Sequence, residues 1–427
     1  MRARARDLAA WLDHAERLHP KSIDLGLERV AVVLRRLGLV RPPFRAIAVG
    51  GTNGKGSCVA FIEAMLRAAG RRTGAYTSPH LVRYTERVRI DGVEATPTAL
   101  AEAFAEVEAA RGAVPLTYFE FGTLAALCAF RRAGVELAVL EVGLGGRLDA
   151  VNVVDSEVSV VTSIALDHQD LLGAGRERIG AEKAGIFRRD RPAICGDAEP
   201  PASLVAEAGR IGAKLWRIGH EFVVEHEGAH WTLVHPHGRI AGLPAPALAG
   251  AFQYGNAACA IAALLASGDP LPPAVIVAGL RAARNAGRLQ RLGMAGEVVL
   301  DVAHNPAAAA ALAEALAATP VAGRTLAVLG VLADKDAVGI ARALDQIVDG
   351  WFAAGLAGAR GRQGAALAAE LRAVPMRGAV SAHADVLAAH AAARAALGPN
   401  DRLLVVGSFH TVGAVLEAGL YCEPRGE

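Results

Sequence analysis

The sequence predicts a two-domain α/β protein, in which a mostly parallel sheet with a phosphate-binding loop is followed by a smaller α/β domain. At 427 residues the chain exceeds the length at which a single hydrophobic core stops growing. Strand-like apolar runs alternate with helical patterns, an order typical of parallel sheets with crossover helices. One such run ends in a glycine-rich turn that carries a lysine and a serine. We expect a boundary near residues 281–291, and so domains of 1–285 and 286–427.

The composition is typical of a soluble globular enzyme. Hydrophobic residues make up 53% of the chain, but charged residues, at 21%, interrupt every apolar run before it reaches membrane-spanning length. The basic N-terminus lacks the apolar core of a signal peptide, so we expect a cytoplasmic protein with no membrane partner. A formal net charge of +2 and only 5% aromatic residues argue against nucleic acid as a partner.

The cysteines bear on the compartment and on metal binding. Five are present, widely spaced and without a Cys-x-x-Cys motif, so the sequence suggests neither a disulfide framework nor a zinc site. We interpret them as buried small hydrophobic side chains. They are Cys58, Cys128, Cys195, Cys259 and Cys422.

The first strand leads into the phosphate loop. Two amphipathic helices are predicted before it, because apolar residues recur at helical spacing between residues 8 and 37. The motif Gly51-Thr-Asn-Gly-Lys-Gly-Ser57 follows the strand, and an apolar helix at 58–69 comes next. Glycines let backbone N–H groups face an anion, Lys55 adds a positive charge and Ser57 can reach Mg²⁺. Gly56 departs from the standard Walker spacing, and a tight turn without a ligand is the alternative.

Further strands and helices complete the predicted larger domain. Strands are expected at residues 72–77, 137–142, 158–165 and 192–195. Helices are expected at residues 97–111, from about 122 to 133, around 179–187 and through 256–265. The β-branched run at 158–165 is typical of a strand buried on both faces. The segment 216–239 alternates polar and apolar residues, which predicts a set of antiparallel hairpins.

Strand–helix alternation resumes after the boundary and predicts the smaller domain, which has no phosphate loop of its own. Its strands are expected at residues 297–302, 325–329, 350–354 and 402–406. Polar motifs follow these strands, and we expect them to face the larger domain's nucleotide across a cleft. They are Asp301-Val-Ala-His-Asn-Pro306, Asp334-Lys-Asp336 and Gly407-Ser-Phe-His410.

Ser78, Glu141 and His168 lie at or just beyond predicted strand ends and are candidate Mg²⁺ ligands. The carboxyl ends of parallel strands share one edge of a sheet, so these side chains can converge near the phosphates. A carboxylate in an apolar strand needs a partner, which favours a functional role for Glu141. For His168, a hydrogen-bonded surface histidine stays open as an alternative, because imidazole is a less typical Mg²⁺ ligand.

Nine motifs, in this order, resemble those of the bacterial bifunctional dihydrofolate synthase/folylpolyglutamate synthases of the Mur ligase superfamily. The resemblance runs from about residue 20 to residue 415. It includes Lys183, which on spacing alone would be a solvated helix lysine. The motifs are the phosphate loop, Thr77-Ser-Pro-His-Leu81, Thr117-Tyr-Phe-Glu120, Leu140-Glu-Val-Gly-Leu-Gly-Gly-Arg-Leu-Asp149, Ala165-Leu-Asp-His168, Glu182-Lys-Ala-Gly-Ile186 and the three motifs of the smaller domain.

The resemblance implies an ATP-dependent amide ligase. It implies a P-loop domain of the Mur ligase central-domain type and a smaller Rossmann-like C-terminal domain on the glutamate side of the cleft. The substrates would be dihydropteroate, tetrahydrofolate forms and L-glutamate, joined through an acyl phosphate. Two Mg²⁺ ions would assist Lys55 in neutralising the transferring phosphoryl group. We expect the protein to act as a monomer.

The resemblance also implies roles for individual residues. Lys55, Lys183 and His304 would take part in catalysis, with Lys183 carbamylated so that it becomes a carboxylate-like metal bridge. The metal ligands would be Ser78, Glu141, His168 and the modified Lys183. ATP would contact Gly54, Lys55, Gly56, Ser57, Asn256, Arg288 and Asp301. The dihydropteroate would lie against Thr117, Tyr118, Phe119, Glu120, Leu148, Asp149 and Ala150, and the glutamate or acyl phosphate near His304 and Ser408.

Several alternatives stay open on the residues alone. Tyr118 and Phe119 fit core packing as well as a flat pterin, and Arg288 fits a solvated linker. Ala333 stands where close relatives often have histidine, which puts only a peripheral contact in doubt. Rival functions are a folylpolyglutamate synthase without the dihydropteroate activity, a cell-wall precursor ligase, and a nucleotide-binding switch that hydrolyses ATP without ligation.

Overall fold

The computed structural model describes residues 6–21, 23–268, 271–292 and 297–421. Cys422 and residues 1–5 of the basic N-terminus lie outside the described residues. The chain divides into two compact units. The first comprises residues 1–80, 84–247 and 253–284, and the second comprises residues 81–83, 248–252 and 285–427.

Helices and strands alternate through both units. The α-helices are α1 Leu8–Arg17, α2 Glu28–Arg36, α3 Lys55–Ala68, α4 Pro97–Arg111, α5 Tyr118–Ala133, α6 Gln169–Leu172, α7 Arg176–Ala184, α8 Ala202–Ile211, α9 Phe252–Ala266, α10 Pro273–Ala282, α11 Pro306–Ala317, α12 Ala337–Leu344, α13 Gly364–Arg372, α14 Val386–Ala396 and α15 Phe409–Glu417. The strands of the first unit are β1 Arg45–Gly50, β2 Thr73–Tyr76, β3 Val88–Ile90, β4 Val93–Glu94, β5 Leu137–Glu141, β6 Val158–Val161, β7 Pro192–Cys195, β8 Lys214–Arg217, β9 Val223–Glu227, β10 His230–His235 and β11 Gly238–Pro244. Those of the second are β12 Gln290–Leu292, β13 Glu297–Asp301, β14 Thr325–Leu329, β15 Gly350–Ala354, β16 Ala379–His383 and β17 Arg402–Val406.

The first unit is built on an eight-stranded sheet in the order β4-β3-β2-β5-β1-β6-β7-β8. Six neighbouring strands run parallel, namely β2, β5, β1, β6, β7 and β8. Strands β3 and β4 add an antiparallel edge beside β2. Strands β1 and β5 are almost wholly buried, as expected for parallel strands covered by helices on both faces. This order brings the carboxyl ends of β2, β5, β1 and β6 next to one another.

Three expectations about the first unit need correction. The hairpin set predicted over residues 216–239 begins only at β9, because β8 instead pairs in parallel with β7 at the edge of the large sheet. The separate sheet β11-β10-β9 is antiparallel and buries Trp231. The helix expected around 179–187 runs three residues earlier, as α7, and ends at Ala184.

The strand predicted over residues 158–165 ends at Val161, because the next residues bind the phosphate loop instead of the sheet. The Thr162 hydroxyl donates to the carbonyls of Gly50 and Asn53, at 3.2 and 2.6 Å. The Thr52 amide donates to the Ser163 carbonyl at 2.7 Å. This segment is therefore a support for the loop, and its hydroxyl residues are the sequence signal for that role.

The second unit contains a six-stranded sheet in the order β12-β13-β17-β14-β15-β16. Five neighbouring strands are parallel, namely β13, β17, β14, β15 and β16. Strand β12 pairs with β13 in the antiparallel sense. The alanine-rich helices pack on both faces of this sheet, in two hydrophobic clusters. The second unit is thus an open α/β sheet, as the alternation predicts. Among the described residues of both units, no helix is both long and apolar enough to cross a bilayer.

Candidate active site

The phosphate loop joins β1 to α3 through a turn that only glycine accommodates easily. Gly51 has φ 135° and Gly54, the residue before α3, has φ 88°. A Cβ on Gly51 would lie 2.0 Å from the Thr162 hydroxyl oxygen. No side chain makes a capping hydrogen bond at the amino end of α3. A turn of this shape at the start of a long helix is suited to an anionic phosphate.

Two lysines converge on one carbonyl of this loop. The Lys55 ammonium donates to the carbonyls of Gly51 and Thr52, at 3.2 and 3.0 Å. The Lys183 ammonium, on α7, donates to the same Gly51 carbonyl at 2.9 Å. Two lysine amino groups therefore lie beside the loop, where a polyphosphate would balance the charge of Lys55.

Lys183 is only 4% exposed, so the surface-lysine interpretation from helical spacing is wrong. Burial, with a smaller contribution from the Lys55 charge, lowers the pKa of Lys183 to about 7, against the opposing effect of Asp167 and Asp149. A large fraction of the side chain is therefore a neutral amine near pH 7. A neutral amine is the form that reacts as a nucleophile.

Glu141 ends β5 and Ser78 follows the neighbouring strand β2. Glu141 is 5% exposed, and its carboxylate accepts a hydrogen bond from the Ser78 amide at 3.2 Å. The structure thus brings two of the four predicted metal ligands together, on adjacent strand ends. Glu141 also adds to the burial effect that raises the pKa of the Cys58 thiol.

His168 lies beyond β6, at the start of the short helix α6, with φ 51° and ψ 39°. Its ring Nε2 lies 3.9 Å from Asp167 Oδ1, and its amide donates to the same oxygen at 2.9 Å. The Asp167 carboxylate therefore lies beside the imidazole, but at a distance longer than a hydrogen bond. A left-handed backbone at a non-glycine residue is uncommon and is often found at functional sites.

The donor set fits Mg²⁺ in its chemistry. Glu141, Ser78 and Ser57 supply oxygen atoms, which hard cations prefer, and His168 supplies a nitrogen. Within residues 6–21, 23–268, 271–292 and 297–421, no group of three His, Cys, Asp or Glu side chains is assembled that could hold a metal ion.

Asp149 is 3% exposed and is held by backbone amides. Leu144 donates to its Oδ2 at 2.8 Å and Val151 to its Oδ1 at 2.9 Å. Burial raises the pKa of Asp149 to about 6, while these hydrogen bonds and the Lys55 charge act in the opposite direction. Leu148 beside it is half-buried and Ala150 is buried. Asp149 therefore lies within the electrostatic reach of the phosphate loop.

Thr117 and Glu120 use their polar atoms to start helix α5. The Glu120 amide donates to the Thr117 hydroxyl at 3.2 Å, and the Thr117 amide donates to Glu120 Oε2 at 2.7 Å, which together form a capping box. The Arg29 guanidinium binds Glu120 Oε1 at 3.0 Å. These contacts give both residues a structural role that the spacing Thr-x-x-Glu already indicates.

Tyr118 and Phe119, in the first turn of α5, are half-buried. The Tyr118 ring lies edge-on to Tyr84, with centroids 6.0 Å apart, and Phe119 lies 6.0 Å from Tyr76. A Cβ on Gly143 would come within 2.6 Å of the Phe119 ring, so the chain passes close to that ring. Both rings thus pack on the protein and leave part of their surface uncovered.

Gln253 is a site residue that the sequence analysis missed. It lies on α9 and is fully buried. Its side-chain Nε2 donates to the Ser57 hydroxyl at 3.3 Å, and its Oε1 accepts from the side-chain Nδ2 of Asn256 at 2.9 Å. The Asn256 carboxamide in turn covers Gly54, where a Cβ would lie 2.3 Å from its Oδ1. In the sequence, the only sign of this role was that two amide side chains lie three residues apart, which places them on one face of a helix.

Replacing Gln253 with leucine should weaken nucleotide binding without unfolding the protein. The change leaves the Ser57 hydroxyl and the Asn256 amide without this partner, and an unsatisfied buried polar group costs about 1–3 kcal/mol. We expect the Kd for a non-hydrolysable ATP analogue, measured by calorimetry, to rise about tenfold. Gln363→Leu, at an exposed glutamine, is the matched control. An unchanged Kd in the Gln253 variant would exclude this support of the loop.

The second unit holds the remaining predicted residues around the end of β13. Asp301 is 6% exposed and accepts from the amides of Leu289 and Ala303, at 2.7 and 2.8 Å. Burial raises its pKa, whereas Arg288 opposes that shift. The Arg288 guanidinium lies 5.0 Å from the Phe409 ring centroid, so it is not simply a solvated linker arginine.

His304 and Ser408 lie in loops at the carboxyl ends of β13 and β17, which are adjacent in the sheet. The His304 Nδ1 lies 3.0 Å from the Val302 carbonyl, and its ring is 6.1 Å from Phe409. Ser408 caps the amino end of helix α15, and its hydroxyl accepts from the Thr411 amide at 3.1 Å. In the charged triplet, Asp334 binds Arg360 and Asp336 caps the amino end of α12.

Two domain profiles match the chain. The Mur ligase middle domain matches residues 49–264, from the phosphate loop through Asn256. The Mur ligase, glutamate ligase domain matches residues 287–409, from just before Arg288 to just after Ser408. Every predicted site residue therefore falls inside a matched region.

Curated relatives and solved structures are similar along nearly the whole chain. A dihydrofolate synthase/folylpolyglutamate synthase of Escherichia coli strain K12 is 47% identical over 416 residues, which are 97% of this chain and 96% of the relative. The structure of E. coli FolC in complex with DHPP and ADP has a TM-score of 0.92 at 47% identity, covering 97% of this chain and 98% of that one. A bifunctional folylpolyglutamate synthase/dihydrofolate synthase with Mn, AMPPNP and L-glutamate bound has a TM-score of 0.90 at 44% identity, covering 97% and 98%.

Proposed function

Because the chain belongs to the Mur ligase family and, within it, to the dihydrofolate synthase/folylpolyglutamate synthases, we propose that it ligates L-glutamate to pteroate and folate acceptors. With dihydropteroate the product is dihydrofolate, and with reduced folates the products are folylpolyglutamates. The single observation that carries the proposal is the 47% identity over almost the full chain to a relative with both activities in its name. The phosphate loop and its two lysines provide a matching site for ATP.

The reaction has two steps. An oxygen of the acceptor carboxylate attacks the γ-phosphorus of ATP, the bond to the bridging oxygen breaks, and ADP leaves an acyl phosphate behind. The amino nitrogen of L-glutamate then attacks the acyl carbon, phosphate departs with the bonding pair, and the nitrogen loses a proton. Little acid–base catalysis is required, since phosphate is a good leaving group. The protein contributes mainly positioning and charge stabilisation.

Residues of the first unit serve the phosphoryl transfer. The backbone of Gly54 and Gly56 cradles the phosphates, and the Lys55 ammonium exchanges its loop carbonyls for phosphate oxygens. Mg²⁺ would be held by Ser57, Ser78, Glu141, His168 and carbamylated Lys183, and it would neutralise charge on the transferring phosphoryl group. Asn256 contacts the nucleotide, and Gln253 holds both Asn256 and Ser57 in place.

Other residues serve the acceptor and the amino acid. The partly uncovered rings of Tyr118 and Phe119 offer a flat apolar surface for a pterin. Asp149, between Leu148 and Ala150, offers carboxylate oxygens, and Thr117 and Glu120 fix the start of α5. In the second unit, Arg288 and Asp301 contact the nucleotide, while His304 and Ser408 contact glutamate or the acyl phosphate.

A substrate panel tests the function. Phosphate release from ATP is measured with dihydropteroate and with tetrahydrofolate, each with and without L-glutamate, and the ligated products are identified by mass spectrometry. We expect product formation with both acceptors, and only when glutamate is present. A protein that ligates glutamate to tetrahydrofolate but never to dihydropteroate is a folylpolyglutamate synthase alone. Strong ATP hydrolysis without an acceptor identifies a nucleotide switch instead.

We also propose that the enzyme acts in the cytoplasm as a monomer. ATP is a cytoplasmic substrate, and the four cysteines in the described part of the chain are free thiols, all buried, which suits a reducing compartment. Sedimentation of the purified protein tests the monomer. A concentration-independent mass near 44.1 kDa is expected.

A further inference from the structure

Arg176 and Asp197 form an ion pair that binds both backbone polar groups of Ile164. Arg176 is the first residue of α7, and Asp197 lies just beyond the end of β7. The Arg176 Nη2 donates to the two carboxylate oxygens of Asp197, at 3.1 and 3.0 Å. The Ile164 amide donates to Asp197 Oδ2 at 2.8 Å, and the Ile164 carbonyl accepts from Arg176 Nε at 2.9 Å. Side chains from two other elements therefore hold one residue of the segment that follows β6.

Ser163 and Ala165, on either side of Ile164, bind the phosphate loop. The Ser163 carbonyl accepts from the Thr52 amide at 2.7 Å. The Asn53 amide donates to the Ser163 hydroxyl, which donates to the Asn53 carbonyl, both at 3.1 Å. The Ala165 amide donates to the Thr52 hydroxyl at 3.1 Å. The ion pair is thus connected to the phosphate loop through a single intervening residue, which is itself only 3% exposed.

Burial gives the Asp197 carboxylate a larger role than an ordinary surface ion pair has. The side chain of Asp197 is 10% exposed, whereas that of Arg176 is 41% exposed. An exposed ion pair contributes little stability by itself, because water screens both charges. The amide of a buried residue, in contrast, must keep an acceptor, and Asp197 supplies it for Ile164. Removing this carboxylate should therefore displace the segment more than removing the guanidinium does.

A second ion pair of the same unit has similar chemistry but no link to the phosphate loop. Glu221 accepts from the Arg217 amide at 2.7 Å and from the Arg217 guanidinium at 3.1 and 2.8 Å. These bonds join residues only four positions apart, at the end of β8. The comparison separates a local structural role, which both pairs can have, from an effect on the loop, which only Arg176 and Asp197 are placed to have.

We propose that Arg176 and Asp197 are positioning residues for ATP, because they hold residues 162–165 where this segment supports the phosphate loop. The proposal rests on the proposed function only in so far as the loop binds ATP. When the segment moves, the loop spends a smaller fraction of time in its binding conformation, and the apparent Kd rises in proportion. A pair that only stabilised the fold would lower Tm and leave the Kd unchanged.

The test is a calorimetric titration of the non-hydrolysable analogue AMPPNP into wild type and variants, below the Tm of each. The Kd should rise about tenfold in Asp197→Ala, which leaves the Ile164 amide without this acceptor. The rise should be smaller in Asp197→Asn, whose amide oxygen can still accept, and this variant serves if Asp197→Ala does not fold. Glu221→Ala, the matched control, should stay within about twofold of wild type.

Two further comparisons test the route of the effect. Arg176→Ala should raise the Kd less than Asp197→Ala, and the double variant should show less than the product of the two single effects, because both act on Ile164. The rise should be present both with Mg²⁺ and with EDTA, since the loop itself is displaced. A rise seen only with Mg²⁺ would place the effect at His168 and overturn the proposal.

Hydrogen exchange gives a readout that needs no ligand. The Thr52 amide, bound to the Ser163 carbonyl, should exchange faster in Asp197→Ala than in wild type, and should be unchanged in Glu221→Ala. A lowered Tm in Asp197→Ala with unchanged Kd and unchanged exchange overturns the proposal, as does an equal rise in Kd in Glu221→Ala. A wild-type protein that binds AMPPNP but ligates neither acceptor would contradict the proposed function, while the binding comparison would still decide the role of this pair.

Discussion

Lys55→Ala is expected to lower kcat for both ligations about 10²- to 10³-fold, the range seen when one charge-stabilising donor is removed from an active site. The Lys55 ammonium lies within the phosphate loop and donates to the carbonyls of Gly51 and Thr52. Those bonds keep the charge over the loop, where the γ-phosphoryl group must pass. Its loss removes charge stabilisation that develops during transfer, so kcat should fall more than nucleotide affinity.

The measurement is glutamate-dependent phosphate release with saturating dihydropteroate and, separately, tetrahydrofolate. Lys214→Ala, at an exposed lysine of β8, is the control for loss of one lysine and should match wild type. Because both activities use the same phosphoryl transfer, both should decline together. A Lys55 variant with turnover within about threefold of wild type would remove this lysine from the mechanism.

Lys183→Ala is expected to lose most activity, about 100-fold or more in kcat, with partial rescue by short carboxylic acids. Lys183 is buried beside the loop, and its ammonium lies 2.9 Å from the Gly51 carbonyl. An unmodified lysine there would repel Mg²⁺. With a pKa of about 7, a neutral fraction is present near neutrality, and this amine can add to CO₂ and lose a proton to form a carbamate. The product is an anion suited to bridge metal ions.

The control for Lys183 is arginine, which keeps a positive charge but does not form the carbamate. Lys183→Arg should be inactive and, because its side chain fills the space, not rescued by acetate or formate. Since carbamate formation needs the neutral amine, activation of CO₂-depleted wild type by bicarbonate should weaken as the pH falls below about 7. Wild-type turnover in Lys183→Ala without added acid would exclude the carbamate.

Strand periodicity predicted the parallel sheets well, because buried parallel strands form short apolar runs that are visible without partners. Strands β7, β14, β15 and β17 have the predicted limits. The strand predicted over residues 158–165 is too long, because the segment from Thr162 onwards has the same kind of composition as β6. Thr162 and Ser163 nevertheless bind the phosphate loop. Likewise β8 could not be told from a hairpin strand, since its partner β7 is set by packing and not by the local pattern.

The residues of the candidate site were likewise predictable from the sequence only in part. The apolar strand pattern indicated Glu141 and the resemblance named Lys183, but the burial of Lys183 and the Gly51 carbonyl that it shares with Lys55 are visible only in three dimensions. Gln253 was missed because it acts on Ser57, 196 positions away in sequence.

By itself, the sequence determined the fold class, the phosphate loop and the family, because helix and strand periods and motif spacings are relations between residues close along the chain. The tertiary structure decided which groups meet: two lysines at one carbonyl, and an amide pair behind Ser57. Those relations depend on strand order, which joins residues far apart in sequence. Burial then changes their chemistry, since removing a charge from water shifts its pKa in a way that no local pattern records.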